Sequence, residues 1–226
     1  MKILALDTAT EACSVALDID GRVFERYVEF ERGHAEHLLP MIDEVLAEGG
    51  IALGALDAIA FGRGPGGFTG VRLAASVVQG LAFGAGVGVV PVSNLAAVAQ
   101  RAADACPQAQ RVLAVNDARM REVYWAEFGA PGSVTLRGAE HVSAPAAVVL
   151  PADGAPWVAA GRGLAASPDL AERCRAGGAT VLETLLPRAR EILWLAAPVV
   201  AAGQALPPEQ ALPVYVRDRV AERASS

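Results

Sequence analysis

Lysine is almost missing from this chain: of its 19 basic residues, only Lys2 is not arginine. No Lys/Arg-rich run occurs, and 25 acidic residues outweigh the basic ones for a net charge of −6 and a pI near 5.1. A protein that holds nucleic acid by itself neutralises phosphates with a basic face. Unaided nucleic-acid binding is therefore excluded, and any such role needs a partner to supply most of the grip. Cysteine is scarce too. Cys13, Cys106 and Cys174 are odd in number and far apart, which gives neither a disulfide framework nor a zinc spacing and suits a reducing compartment. Aromatics number only 12 against 47 alanines, so the core is predicted to be built from Ala, Val and Leu in close approach. Long hydrophobic runs are absent as well: Asp7 cuts the N-terminal run before it becomes a signal-peptide core, and Leu193 to Ala202 is too short to span a bilayer. These absences point to a soluble cytoplasmic protein without membrane contact.

What is present can fold. Apolar residues make up 53% and charged residues 19%, with mean hydropathy +0.35, which excludes intrinsic disorder. At roughly 150 residues per domain, 226 residues fit two small lobes or one large domain. Lys2 to Leu6 reads as a buried strand closed by Asp7-Thr8-Ala9-Thr10. Ser14 to Ile19 and Arg22 to Phe30 flank Asp20-Gly21, the dipeptide of a two-residue hairpin, so the first three strands form an antiparallel meander. Apolar residues at Leu38, Leu39, Ile42, Val45 and Leu46 give a helix over 34–48, with a late start or a bend expected at Pro40 inside it. Leu56 to Phe61 is a strand; Thr69 is expected to cap a helix from Gly70 to Phe83; Val89 to Val92 is a strand, and Ser93 or Asn94 caps a helix to Ala105. Residues 1–105 thus form a β-β-β-α-β-α-β-α lobe, and residues 106–226 a smaller, Gly/Pro-richer lobe whose tail can return to the first. In the second lobe, strands are expected at Arg111 to Val115, Glu122 to Phe128 and Trp157 to Ala160. Helices are expected at Ser143 to Leu150 and Pro187 to Ala202. No repeat of solenoid period occurs.

Four features carry potential chemistry. The turn Asp7-Thr8 after a strand can hold a metal–phosphate complex or simply satisfy its own backbone. The segment Gly62 to Gly70, with five glycines in nine residues, offers uncovered amides (Gly64, Gly66, Gly67) and a helix start at Thr69 to an anion, or packs closely against the sheet. It is neither a Walker A loop nor a dinucleotide fingerprint. His34 and His37 share a helix face but lack the third ligand of a metal centre. The last feature is a helix stripe of Leu73, Ala74, Val77, Val78 and Leu81, with small residues beside it, which reads equally as core or as an interface.

Taken in order, five segments are similar to the bacterial TsaB (YeaZ) family. They are Leu4-Ala5-Leu6-Asp7-Thr8-Ala9-Thr10, His37-Leu38-Leu39-Pro40, Gly64-Pro65-Gly66-Gly67-Phe68-Thr69-Gly70-Val71-Arg72, Asp117-Ala118-Arg119-Met120-Arg121-Glu122-Val123-Tyr124 and Pro213-Val214-Tyr215-Val216-Arg217. The resemblance implies a two-lobed actin/Hsp70/sugar-kinase-like (ribonuclease H-like) α/β fold with a reduced second lobe. It also implies a non-catalytic dimerisation subunit that binds the catalytic paralogue TsaD, with the ATPase TsaE joining, in forming threonylcarbamoyladenosine beside the anticodon of tRNAs that read codons beginning with A. It further implies a homodimer when TsaD is absent, tRNA contact mainly through the complex, and no catalytic site, resident metal or intrinsic cofactor, with ATP or ADP at the complex interface left open. The partner surface it suggests is Leu38, Leu39, Ile42, Val45, Leu46, Leu73, Ala74, Val77, Val78 and Leu81. The alternative from a different class is a small ATPase using Asp7, Thr8 and the glycine-rich loop, or a metallopeptidase-like enzyme using the His pair.

Overall fold

Strand β1 (Lys2–Asp7) runs Ile-Leu-Ala-Leu without a polar break because both of its faces are covered. The computed structural model describes residues 1–30 and 33–217; residues 218–226, the end of the expected second lobe, lie outside the described residues. β1, β2 (Ala12–Ile19) and β3 (Arg22–Glu29) form the expected antiparallel meander. Asp20 and Gly21 take φ of 51° and 92° at its second turn, the positive values a two-residue hairpin demands. β4 (Ala58–Gly62) and β5 (Gly88–Val92) then add in parallel, giving the order β3-β2-β1-β4-β5.

The second sheet repeats this plan. β6 (Arg111–Asp117), β7 (Val123–Gly129) and β8 (Thr135–Ser143) make a meander, and β9 (Trp157–Ala160) and β10 (Thr180–Leu182) extend it in parallel, in the order β10-β9-β6-β7-β8. Both halves are thus mixed five-stranded sheets with the same strand order. The second half is smaller in its outer helices, α4 (Arg162–Ala165) and α5 (Pro168–Ala176), rather than in its sheet.

Alternation along the strands assigns each face. Leu4, Leu6, Val15, Leu17, Ile59 and Phe61 meet α1 (His34–Gly49) and α2 (Phe68–Ala85). Ile3, Ala5, Ala16 and Ala60 point the other way, onto α6 (Ala189–Ala201) and Ala97 of α3 (Asn94–Ala105). Leu95, Val98 and Ala102 of α3 continue onto Val112, Ala114 and Phe128 of the second sheet, so α3 is packed between the two halves. The outer face of that sheet, with Leu113, Val115 and Trp125, is closed by α4 and α5.

Several expectations are corrected. Thr69 is not the helix cap: α2 begins at Phe68 with Gly67 in the cap position and no side-chain cap bond. Ser143 to Leu150 is not a helix; β8 runs to Ser143, followed by only a short 3-10 turn at Pro145–Ala147. β8 carries no apolar alternation because it is a largely exposed edge strand with Gly138 at φ 84° and an irregular register opposite Trp125 and Glu127. Among the described residues one helix, α2, is by length and composition long and apolar enough to cross a membrane; its interspersed glycines and serine hide this in the sequence. Its inner residues Val71, Ala74, Ala75, Val78 and Ala82 are seated in the first core. The three cysteines are free and buried.

Candidate functional site

The ends of β1 and β4 converge on a buried polar knot. Asp7 is fully enclosed, and its Oδ1 accepts a hydrogen bond from Asn94 Nδ2 at 2.6 Å; Asn94 Oδ1 in turn accepts from the Gly64 amide at 2.7 Å. Asp7 Oδ2 has no partner among the described residues. Burial is the main cause that pushes the Asp7 carboxyl up to about 7. Asn94 is free to point inward because Ser93 takes the cap of α3, accepting from the Ala96 amide.

The glycine-rich loop lies directly on the Asp7–Thr10 turn. A Cβ at Gly62 would sit 2.0 Å from Asp7 Oδ1, one at Gly66 2.5 Å from the Ala9 carbonyl oxygen, and one at Gly70 1.9 Å from that of Thr8. The Gly67 amide donates to Ala9 O at 2.7 Å and the Thr8 hydroxyl to Gly70 O at 2.7 Å. Of the two sequence readings, close packing is what these contacts make. The structure brings Asp7, Thr8, Gly64, Gly66 and Gly67 together, but the amides of Gly64 and Gly67 and the Thr8 hydroxyl are already bonded within the protein, while Thr69 stays exposed. His34 begins α1 and its Nε2 lies 2.9 Å from the Thr10 carbonyl oxygen; both His34 and His37 rings pack on Phe30. Among the described residues, no three His, Cys, Asp or Glu are grouped to hold a metal ion.

Between the two halves lies a cleft of about 420 Å³, walled by the Thr8–Glu11 turn, the loop from Pro65, the strand end Asn116–Arg119, Tyr124 and the segment 214–217. Asn116 is only 2% exposed, and neither its Nδ2 nor its Oδ1 has a partner among the described residues. An unsatisfied buried amide of this kind costs about 1–3 kcal/mol. Arg119 reaches across the cleft to Glu11 (3.6 Å) and back to Asp117 (3.1 Å). It also opens a run of three residues, Arg119, Met120 and Arg121, at φ 61°, 54° and 61°, a left-handed turn that costs roughly 1–2 kcal/mol per residue.

The C-terminal segment straps the cleft. The Val214 amide donates to Arg63 O at 2.8 Å, and Arg72 Nε donates to the Tyr215 hydroxyl at 2.7 Å while its guanidinium lies 3.4 Å over the Phe68 ring. Arg217 binds the Glu122 carboxylate and, at 3.3 Å, the Ala118 carbonyl oxygen. Three segments far apart in sequence, 68–72, 117–122 and 213–217, are thereby joined. Sequence reading missed Asn94, Asn116 and Glu11, which carry no spacing signal of their own.

The helix stripes divide sharply. Leu38, Ile42, Val45, Ala74 and Val78 are 0–2% exposed; they face this chain's own sheet and are not on a free surface, which corrects their place in the suggested partner face. Leu46, Leu73, Val77 and Leu81 are half-buried at the rim, and Leu39 is exposed. From Leu73 to Ala85, α2 carries no charge, and its outer side shows Ser76, Gly80, Gly84 and Phe83, the last 79% exposed.

A family model described as TsaD, tRNA N6-adenosine threonylcarbamoyltransferase, matches residues 28–224. The Escherichia coli protein described as tRNA threonylcarbamoyladenosine biosynthesis protein TsaB is 42% identical over 228 residues, covering 98% of this chain and 96% of that one. The Haemophilus influenzae protein of the same description is 54% identical over 127 residues, or 56% of this chain and 53% of that one. Among solved structures, YeaZ from Pseudomonas aeruginosa superposes with a TM-score of 0.84 at 47% identity, covering 95% of this chain and 99% of that one. A second Pseudomonas aeruginosa structure, described as similar to peptidase YEAZ, gives 0.88 at 48%, covering 96% and 99%.

Proposed function

The chain belongs to the TsaB (YeaZ) family, whose named members serve tRNA threonylcarbamoyladenosine biosynthesis, and on that footing we propose that it is a scaffold subunit without chemistry of its own. It docks on TsaD through the outer faces of α1 and α2, with TsaE joining, and supports threonylcarbamoyl transfer to the adenosine beside the anticodon of tRNAs that read codons beginning with A. It works in the cytoplasm, pairs with a second copy when TsaD is absent, and meets tRNA mainly through the complex. The observation that carries the reading is the uncharged outer side of α2, where Phe83 stands in solvent beside Ser76, Gly80 and Gly84. Small residues let a facing helix approach closely, and burying one such phenylalanine is worth about 1.5–3 kcal/mol. The absence of independent chemistry is supported by the glycine-rich loop, whose Gly64 and Gly67 amides bond within the protein instead of facing a phosphate.

The test is copurification with TsaD. Phe83→Glu is expected to abolish it while leaving the circular dichroism spectrum unchanged, because the Phe83 side chain is 79% exposed. A Phe83→Glu protein that still copurifies at the native yield overturns this interface. Turnover of Mg-ATP by the isolated chain at enzyme-like rates overturns the scaffold reading.

A further inference from the structure

The cleft contains one group that neither the fold nor the scaffold role uses. Asn116, the penultimate residue of β6, shares a strand face with Val112 and Ala114 and stands in register with Tyr124 of β7; both line the cleft. It is 98% buried by its 2% exposure, yet its amide donor and its carbonyl acceptor are both unpartnered among the described residues. A side-chain amide presents donor and acceptor side by side, and the matching ligand edge is an acceptor beside an N–H.

The surroundings restrict the ligand further. The charged residues lining the cleft already form pairs: Arg119 with Glu11 and Asp117, and Arg217 with Glu122 beside it. Two amides of the glycine-rich loop, those of Gly64 and Gly67, are bonded to Asn94 and Ala9. A charged ligand would have to break these pairs, whereas an uncharged one would not. At about 420 Å³, the cleft is within the range of small-molecule sites, and its roof is the segment Val214–Arg217.

We propose that this cleft is a binding site for a small ligand that presents an uncharged donor–acceptor edge to Asn116, either a ureido group or the N6/N7 edge of an adenine, the base edge to which asparagine is geometrically matched. The site is independent of the outer docking faces of α1 and α2; the naming of ureido and adenine edges, and of the probes, rests on the proposed role in threonylcarbamoyladenosine formation.

The experiment titrates the purified full chain with uncharged N-carbamoyl-L-threonine methyl ester, adenosine and inorganic phosphate in turn, following the side-chain amide resonances of Asn116 by nitrogen-15 NMR. A shift of these resonances with the methyl ester assigns the ureido source, and a shift with adenosine the purine source; either supports the site. Asn116→Leu, similar in volume, is expected to weaken that probe at least about tenfold. The wild-type resonance shift stands as a readout even if the variant folds poorly. No shift at millimolar probe, a shift with phosphate alone, or a crystal structure in which ordered waters hold both Asn116 atoms and remain with the probe present overturns the proposal. Copurification with TsaD is scored in parallel: its loss with probe binding intact removes the scaffold reading and spares this site, and the converse removes this site alone.

Discussion

Asn94 bonds Asp7 with one end of its side chain and the Gly64 amide with the other, at 2.6 and 2.7 Å, so a single amide ties the first strand to the glycine-rich loop. This bond opposes, but does not cancel, the desolvation that lifts the Asp7 carboxyl from 3.8 to about 7. The native state therefore holds this proton more tightly than the unfolded chain does. Stability from this group is fully present below pH 3.8 and is lost as pH rises through about 7. Asp7→Asn keeps the acceptor for Asn94 and removes the titration. Urea unfolding across pH 4 to 8 is expected to show the variant gaining on the wild type as pH rises, by at most about 4 kcal/mol. A pH-independent difference between the two proteins contradicts this assignment.

The glycines separate into two groups by what a Cβ would meet. At Gly70 it would lie 1.9 Å from the backbone oxygen of Thr8, whereas at Gly80, on the same helix, nothing lies within 4 Å. Gly70→Ala is expected to lower stability by about 3 kcal/mol or more, since the neighbour is backbone and cannot step aside. Gly80→Ala should raise it by about 0.5–1 kcal/mol through helix propensity. Thermal melts of the pair read the contrast directly.

Val78 and Phe83 lie five residues apart on one helix but have opposite surroundings, 0% and 79% exposed. Val78→Glu buries an unpaired charge in the first core and is expected to unfold the protein or form inclusion bodies. Phe83→Glu should leave the unfolding free energy within about 0.5 kcal/mol of the wild type. Size-exclusion chromatography with light scattering on the second variant then reports on self-association alone.

Arg121 stands at φ 61° at the end of three left-handed residues. Replacing it with glycine removes a steric cost of roughly 1–2 kcal/mol against a smaller entropic loss. Arg121→Gly is expected to stabilise the chain by about 0.5–1 kcal/mol in chemical denaturation. An Arg121→Gly protein less stable than the wild type would mean that the side chain does something the fold does not reveal.

Period and turn chemistry made most of the first sheet legible: Asp20-Gly21 set its hairpin, and the 3.6-residue stripe of α1 was seen from Leu38 to Leu46. The same stripe misled about which residues are exposed, because the residues that make a helix amphipathic are those it turns inward. The outer, solvent-facing side of α2 is written in serine, glycine and a lone phenylalanine, which have no period. In the second half β8 was missed because an exposed edge strand has no buried face to alternate with. Asn94 and Asn116 were silent for another reason: their surroundings come from contacts 30 to 87 residues away or from a cleft assembled by several segments, which no local pattern encodes.

The return of α6 from beyond the second sheet to cover Ile3, Ala5 and Ala60 of the first makes the halves mutually dependent despite their matching strand order. A gene cut between Cys106 and Gln110 would yield a leading fragment with one greasy side laid bare and a trailing fragment carrying an orphaned helix. Continuity of the polypeptide at that junction matters less than delivery of the helix, so the two pieces made together in one cell should reconstitute a whole, whereas the leading piece alone should precipitate.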